Sequence, residues 1–217
     1  MPAVAALSQK QQEEAARLYR GGLSAQQIAD HFGVSIHASY YTLRKLKVSR
    51  RSIVEANRVR FEAKPLSYSL KTSLTKEEGQ LKMAAIMLYW AEGYKIGKGT
   101  VDFANSDPDM VVIFWKFLSE ICMVDQERVR LHLYAYEGQK IEDLMQFWCN
   151  LLNLPRKKFI KPYIKKAAAP GPRGPRMVHG LVHIRYCDTK LLRQILVWID
   201  EYRQKCVGGR VVNYTSL

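Results

Sequence analysis

The residues of this sequence best suited to chemistry are cations and aromatic rings that alternate along one short stretch. In RVRLHLYA, every second position carries one of four such residues: Arg128, Arg130, His132 and Tyr134. The positions between them carry Val129, Leu131, Leu133 and Ala135. Because successive side chains of a β-strand point to opposite faces, the spacing predicts a strand with an apolar face and a cationic, aromatic face. Such a face suits contact with phosphates, sugars and bases.

A second basic segment lies between Asn153 and Cys187. It carries nine lysines and arginines and no acid: Arg156, Lys157, Lys158, Lys161, Lys165, Lys166, Arg173, Arg176 and Arg185. Phe159, Tyr163 and Tyr186 are interleaved with them, which favours a surface that follows a nucleic-acid backbone. We expect four residues of this region to contact DNA: Lys161, Lys165, His183 and Arg185. The alternatives are a generic solvated surface and an acidic membrane, which more often attracts an amphipathic basic helix.

The whole chain is basic. Its 217 residues include 34 lysines and arginines against 20 acids, for a formal net charge of +14, which favours a polyanionic partner. With 47% hydrophobic and 25% charged residues, the composition is that of a folded globular chain. The sequence has no apolar run of membrane-spanning length and a polar N-terminus. We therefore expect no membrane contact and a cytoplasmic, nucleoid-associated protein.

Cysteine and histidine do not indicate a metal site. The four cysteines lack the paired spacing of a zinc finger or ribbon, so reduced thiols are the simpler interpretation: Cys122, Cys149, Cys187 and Cys206. His179 and His183 stand closer together, but in a strand-like stretch where their spacing does not bring two ligands to one point.

Three short helical patterns occupy the N-terminal part of the chain. The first runs from Lys10 to Arg20 and stops at two glycines, and the second, AQQIADHF, follows a capping Ser24. The third begins after Ser35 and runs to about Lys47. The next segment, VSRRSIVEANRVRFEAK, is basic but has no sustained apolar stripe.

The stretch LSAQQIADHFGVSIHASYYTLRKL resembles the helix-turn-helix modules of resolvases and bacterial repressors. The likeness lies in the small Ala29, in Gly33, which permits a turn with positive φ, and in the core residue Val34. It implies that the third helix enters the major groove of DNA. Base contacts would then fall to Ser35, His37, Ser39 and Tyr40, and phosphate contacts to Arg44 and Lys45. A plain three-helix hairpin is the alternative.

Four regions follow from the change in pattern after residue 62. We predict a helix-turn-helix domain over 1–62, a linker over 63–76 whose end carries a Thr75/Glu78 capping box, a second domain over 77–206 and a tail over 207–217. In the second domain helices alternate with strands. An apolar helix, a hairpin that turns at Lys98 and Gly99, and a helix opened by Pro108 precede the strand RVRLHLYA.

This element order, with an acid and a glycine at the end of the apolar helix, resembles the LAGLIDADG homing-endonuclease fold. The motif reads AIMLYWAEG and ends in Ala91, Glu92 and Gly93. The resemblance implies an α+β fold in which a three-helix helix-turn-helix precedes a LAGLIDADG-like unit with a mainly antiparallel, saddle-shaped sheet on DNA. It implies Glu92 as a ligand of catalytic Mg²⁺. Three lysines are then candidates for stabilising the charged phosphorane: Lys95, Lys98 and Lys165.

The chain departs from that family in its acids. It offers one motif-like acid, because the later amphipathic helix IEDLMQFWCNLLNL ends at Asn150 and Asn153. Metal-assisted cleavage must stabilise both the attacking and the leaving oxygen, so a nuclease would need a homodimer that brings two Glu92 side chains together, or a repurposed single site. The alternative for Glu92 is an ion pair with Lys95 or Lys98.

Two segments of the second domain resemble each other. VDFANSD and VHIRYCD each precede a helix, and three residues of one align with three of the other: Val101, Phe103 and Asp107 with Val182, Ile184 and Asp188. The match indicates either an internal duplication or two strands that each lead into an aspartate cap.

The sequence therefore favours a double-stranded DNA-binding protein, regulatory or architectural, which uses the helix-turn-helix and the basic sheet. The first alternative is a Mg²⁺-dependent homing-type endonuclease, and the second is a protein that binds RNA on its sheet. Magnesium is expected only for the nuclease.

Overall fold

A computed structural model shows an α+β protein and describes residues 7–96, 99–166 and 177–207. The chain divides into two compact units, residues 1–65 and 66–217. Lys98, Arg173 and Arg176, which the sequence analysis singles out, lie outside the described residues, as does the tail beyond Val207.

The first unit consists of four helices in its described part. They are α1 (Gln9–Arg20), α2 (Ala25–Phe32), α3 (Ile36–Lys45) and α4 (Ile53–Ala63). Ser24 and Ser35 cap α2 and α3 as predicted, since each hydroxyl accepts a backbone N–H from the first turn. Gly33 ends α2 with φ of 65°, the left-handed conformation that glycine adopts without strain.

A small apolar core joins the first three helices. Ala15, Ile28 and Leu43 are buried in it, one from each helix, and Ala29 is buried where α2 approaches its neighbours. α4 contributes no buried residue, which explains why its sequence lacks an apolar stripe. The sequence feature that marks the start of α4 is the capping box formed by Ser52 and Glu55.

Arg51 joins the end of α1 to the start of α2. Its guanidinium donates to the carbonyls of Tyr19, Gly22 and Leu23 and lies 4.2 Å from the centre of the Tyr19 ring. Carbonyls at the end of a helix have no partner within the helix, and a cation there also favours the helix dipole. Arg51 is therefore a structural cation of this unit.

The second unit alternates helices and strands. Its elements are α5 (Lys76–Glu92), β1 (Val101–Asn105), α6 (Pro108–Lys116), β2 (Val129–Tyr136), α7 (Ile141–Leu152), β3 (Tyr163–Lys165), β4 (Leu181–Tyr186) and α8 (Thr189–Val207). A π-helical turn, Phe117–Ile121, extends α6, and short 3₁₀ turns span Gln126–Arg128 and Arg156–Lys158.

The four strands form one mixed sheet in the order β1-β4-β2-β3. β4 pairs antiparallel with both β1 and β2, whereas β3 pairs parallel with β2 at one edge. Alternate residues of the strands, such as Phe103, Leu131 and Ile184, are buried with residues of α5, α6, α7 and α8 in a single core. All four helices thus pack on one face of the sheet.

Residues predicted as a linker belong in part to this second unit. The backbone N–H groups of Ser69 and Lys71 donate to the carbonyls of Cys122 and Ile121, and the buried Tyr186 hydroxyl donates to Ser67. Tyr68, Leu70 and Leu74 pack against the core. The boundary between units therefore falls after Pro65.

The segment before β1, predicted as the first arm of a hairpin, forms no regular strand in its described residues. Gly93 forms an isolated antiparallel bridge with Phe103, and the Tyr94 N–H donates to the Asp102 carbonyl. The predicted turn includes Lys98, outside the described residues. Gly93 has no space for a side chain, since a Cβ would lie 2.5 Å from the Tyr89 ring.

The two similar segments share a capping role. The Asp107 carboxylate accepts from two backbone N–H groups at the start of α6, and Asp188 does the same at the start of α8. Two strands that lead into aspartate-capped helices explain these matching positions without a duplication. Among the described helices, none has the length and apolar character needed to cross a membrane.

Two serines of the first unit give a stability prediction. The Ser39 hydroxyl is fully buried and has no hydrogen-bond partner among the described residues, so Ser39→Ala should raise the free energy of unfolding by about 1 kcal/mol. Ser35→Ala removes a helix cap and should lower it by about 1 kcal/mol. Urea unfolding of both variants measures the difference; a loss of stability in Ser39→Ala would contradict this interpretation of the buried hydroxyl.

Candidate nucleic-acid interface

The face of the sheet opposite the helices carries polar and aromatic side chains. β2 contributes Arg130, His132 and Tyr134 at alternate positions, and the register places Arg130 opposite Arg185 and His132 opposite His183. Because cross-strand partners share a face, the polar residues of β2 and β4 form one surface. We call this surface, with Asp102 of β1 and Tyr163 and Lys165 of β3, the open face.

An aspartate links two basic side chains of the open face. The Asp102 carboxylate lies 2.7 Å from His183 Nδ1 and accepts from Arg185 Nε at 2.8 Å. Burial disfavours the charged carboxylate, but the hydrogen bonds and charges of these two partners outweigh it and hold the pKa of Asp102 below its usual range. With Nδ1 held by the carboxylate, the second ring nitrogen of His183 is left for other partners.

Aromatic rings form a connected group in the middle of the open face. The centre of the Tyr134 ring lies 4.6 Å from those of His132 and His183 and 5.1 Å from that of Tyr163. His132 is the inner member, since its Nδ1 is buried with no hydrogen-bond partner in the described part of the chain. Burial, together with the nearby Arg185 and His183, lowers the pKa of His132, so the neutral ring is favoured.

The two arginines predicted on β2 occupy different places. Arg130 is exposed on the open face, and its guanidinium turns back to the carbonyls of Glu127 and Val129. Arg128 precedes the strand in a 3₁₀ turn, lies over the core residue Tyr186 and pairs with Asp188 at 3.7 Å. Its predicted place in the strand is therefore wrong, because local backbone geometry takes it out of the alternation, while its contact with DNA stays a prediction.

The basic segment after Asn153 is only partly a free surface. Lys158 is buried, donates to the Gln126 carbonyl at 2.6 Å and lies 3.1 Å from Glu127, while Arg156 pairs with Glu142 at 3.0 Å. Lys157 is exposed but lies 3.9 Å from Glu127. Three other lysines of the segment are also exposed: Lys161, Lys165 and Lys166. Acids from other parts of the chain thus neutralise some cations of this basic segment, which contains no acid itself.

In the first unit, one face of α3 is exposed and basic. His37, Tyr41 and Arg44 recur at helical spacing, Tyr41 is 59% exposed, and Lys45 is exposed beside them. Ser39 is the exception among the predicted base contacts. It is fully buried because it lies one helical turn before Leu43, on the core face, so its prediction as a base contact is wrong.

The other predicted residues of α3 stay at the surface. The Ser35 hydroxyl is exposed but accepts the Ala38 N–H, and Tyr40 is half-buried under Arg50, whose guanidinium lies 4.6 Å from the ring centre. Sequence reasoning missed two residues of this surface, Tyr41 and Arg50. Tyr41 could have been found from its spacing after His37, and Arg50 from the run Arg44–Arg51, in which five of eight residues are basic.

The residues predicted for metal-dependent catalysis are not brought together. Glu92 is exposed at the end of α5, and Lys95 donates to the Gly93 carbonyl at 3.0 Å instead of pairing with Glu92. Lys165 lies on β3, at the opposite edge of the sheet from β1, to which Gly93 pairs. Lys98 is outside the described residues.

No cluster of metal-ligating side chains surrounds Glu92 among the described residues. The described residues contain no group of three or more histidine, cysteine, aspartate or glutamate side chains able to hold one. Mg²⁺ binding at Glu92 therefore stays a prediction.

Comparison of this chain with protein-family models, with curated proteins and with solved structures finds no match.

The Asp102 network predicts a pH-dependent stability. Asp102→Asn removes the charge that His183 and Arg185 share and should lower the free energy of unfolding at pH 7 by about 1–3 kcal/mol. Because the folded pKa of Asp102 is depressed, this stabilisation is present above the unfolded pKa of about 4 and is lost as the pH falls through the folded pKa.

Urea unfolding at pH 7 and at pH 3 measures the difference between the wild type and Asp102→Asn. Asp109→Asn, at an exposed acid in the first turn of α6, is the matched control. If Asp102→Asn lowered the free energy of unfolding by the same amount at both pH values, the charged Asp102 carboxylate would not be the source of the stabilisation.

Proposed function

We propose that the protein binds double-stranded DNA, in a regulatory or architectural role, and that the open face is one of its contact surfaces. The observation that carries the proposal is that the described helices of the second unit cover one side of the sheet. The other side, which bears Arg130, Arg185, Lys165 and aromatic rings, has no helical layer among the described residues of that unit. Cations on such a face release counterions when they meet phosphates, and rings add contact with sugars and bases.

The first unit supports the same function. α2, the left-handed Gly33 and α3 follow one another as in a helix-turn-helix, and the exposed face of α3 carries His37, Tyr41 and Arg44. In such modules that face enters the major groove and reads base edges. Arg50 and Lys45, next to this face, would contact phosphates.

A LAGLIDADG-like arrangement of the second unit is part of this proposal. α5 ends in Glu92 and Gly93, and the strands that follow lie in a largely antiparallel sheet whose exposed side is cationic. A sheet of that kind would lie along DNA, with the outward residues of β2 and β4 toward the groove.

A charge-matched pair of double variants tests the open face. Arg130→Gln combined with Lys165→Gln should weaken binding to a duplex and reduce the slope of log K against log salt by about two, one for each phosphate that the variant no longer neutralises. Fluorescence anisotropy with a labelled duplex across a salt series measures both quantities.

The control removes the same charge from the helical side. Lys76→Gln combined with Lys116→Gln changes two exposed lysines of α5 and α6. Equal losses in the two double variants would show generic attraction and would contradict a DNA surface on the open face. Stronger binding to structured RNA than to the duplex would favour the RNA-binding alternative.

One feature favours a second candidate function, the homing-type endonuclease. Along α5, Met83, Ala84 and Ala91 are exposed and Met87 is half-buried, so an apolar stripe runs toward the exposed Glu92. A second copy that packed on this stripe would bring two Glu92 carboxylates near each other. A homodimer is therefore the form in which this chain would hold Mg²⁺.

Plasmid nicking in Mg²⁺ tests the nuclease. If this candidate is right, the wild type nicks supercoiled plasmid and Glu92→Gln loses nicking while it keeps its affinity for DNA. Glu77→Gln, at an exposed acid in the first turn of the same helix, should nick as the wild type does. Equal nicking by Glu92→Gln and wild type, or none by the wild type in either Mg²⁺ or Mn²⁺, would remove this candidate.

A further inference from the structure

The rings of the open face become more exposed toward one edge of the sheet. The side chain of His183 on β4 is 15% exposed, Tyr134 on β2 is half-buried, and Tyr163 on the edge strand β3 is 53% exposed. The register pairs Tyr134 directly with Tyr163, and their ring centres lie 5.1 Å apart. We call these three side chains the ring row.

The ring row does little for the stability of the sheet. The core lies on the other side, and β3 is only three residues long with every residue exposed. Within the described residues neither phenol hydroxyl of Tyr134 or Tyr163 has a hydrogen-bond partner. Exposed rings with unused hydroxyls on a polar surface are typical of binding surfaces, where tyrosine offers a large contact area at small cost in conformational entropy.

Cations surround the ring row. Lys165 lies two residues beyond Tyr163 on the same strand and therefore on the same side, Lys161 is exposed just before it, and Arg130 is exposed two residues before His132. Aromatic rings flanked by lysine and arginine suit a nucleic-acid strand, whose bases stack on the rings while its phosphates meet the cations.

The form of nucleic acid follows from the geometry of stacking. In an intact duplex the flat faces of the bases are covered by their neighbours, and only base edges are open to the grooves. Tyr134 and Tyr163 could stack only on bases that have left that arrangement. The rings thus favour unpaired bases, whereas the cations alone could contact the phosphates of any nucleic acid.

We propose that the ring row binds unpaired bases of DNA, so that the protein prefers DNA in which a short single-stranded stretch adjoins a duplex. This inference rests on the proposed function, since the duplex part would be held by the cations of the open face. DNA rather than RNA is the assigned source because the helix-turn-helix likeness of the first unit concerns duplex DNA.

The experiment compares an intact duplex with the same duplex carrying a gap of a few thymidines, by fluorescence anisotropy. The wild type should bind the gapped duplex at least about fivefold more tightly, the gain expected for one stacked base. Tyr163→Ala should lose this gain, so that it binds the gapped and the intact duplex with equal affinity, while Tyr163→Phe, which retains the ring, should keep the gain. Tyr94→Ala is the control, at an exposed tyrosine beside the opposite edge of the sheet.

Each outcome bears on a different claim. Equal binding of gapped and intact duplex by the wild type would overturn the ring-row site and leave the proposed function standing. No binding of either duplex would overturn the proposed function itself. A gain that survives in Tyr163→Ala, or a gap of uridine ribonucleotides bound more tightly than the thymidine gap, would also overturn the assignment.

Discussion

The fold of the second unit depends on the burial of every second strand residue under one layer of helices. Val129, Leu131 and Leu133 are fully buried against that layer, and the two-residue period of a strand then sends the side chains between them to the other side. A slip of one residue in the pairing of β2 with β4 would bury arginine and histidine and expose leucine. The apolar residues of β2 thus determine which side chains lie on the open face.

The open face also brings two like charges opposite each other. The register sets Arg130 opposite Arg185, a pairing that would repel if both guanidinium groups stood together. Asp102 draws Arg185 toward β1, and backbone carbonyls at the start of β2 hold Arg130. These contacts hold the two arginines of the face apart. Arginines at set positions suit contact with phosphates at defined spacing.

Features with a strong local period could be predicted from the sequence. The alternation in β2, the Thr75/Glu78 capping box and the left-handed Gly33 each depend on a few neighbouring residues, and each is present in the structure. Ser39 was misplaced because α3 carries weak apolar contrast, although its spacing before Leu43 indicates the core face. Arg128 was misplaced because the alternating pattern continues one residue beyond the strand itself.

Long-range pairs could not be predicted. The contact between Asp102 and His183 joins residues 81 positions apart and depends on the pairing of β1 with β4. The ring row likewise depends on the parallel pairing of the short β3 with β2, which no local pattern indicates. The neutralisation of Lys158 by Glu127 is a third case, since the acid comes from the turn before β2.

Photocross-linking shows whether the open face of the sheet contacts DNA. Duplex DNA substituted with bromodeoxyuridine is irradiated with the full chain, and the linked peptides are identified by mass spectrometry. If the open face binds DNA, the DNA should be cross-linked to residues 129–136, 163–165 and 181–186, and also to α3. Links confined in the second unit to the outer surfaces of α6, α7 and α8 would contradict it.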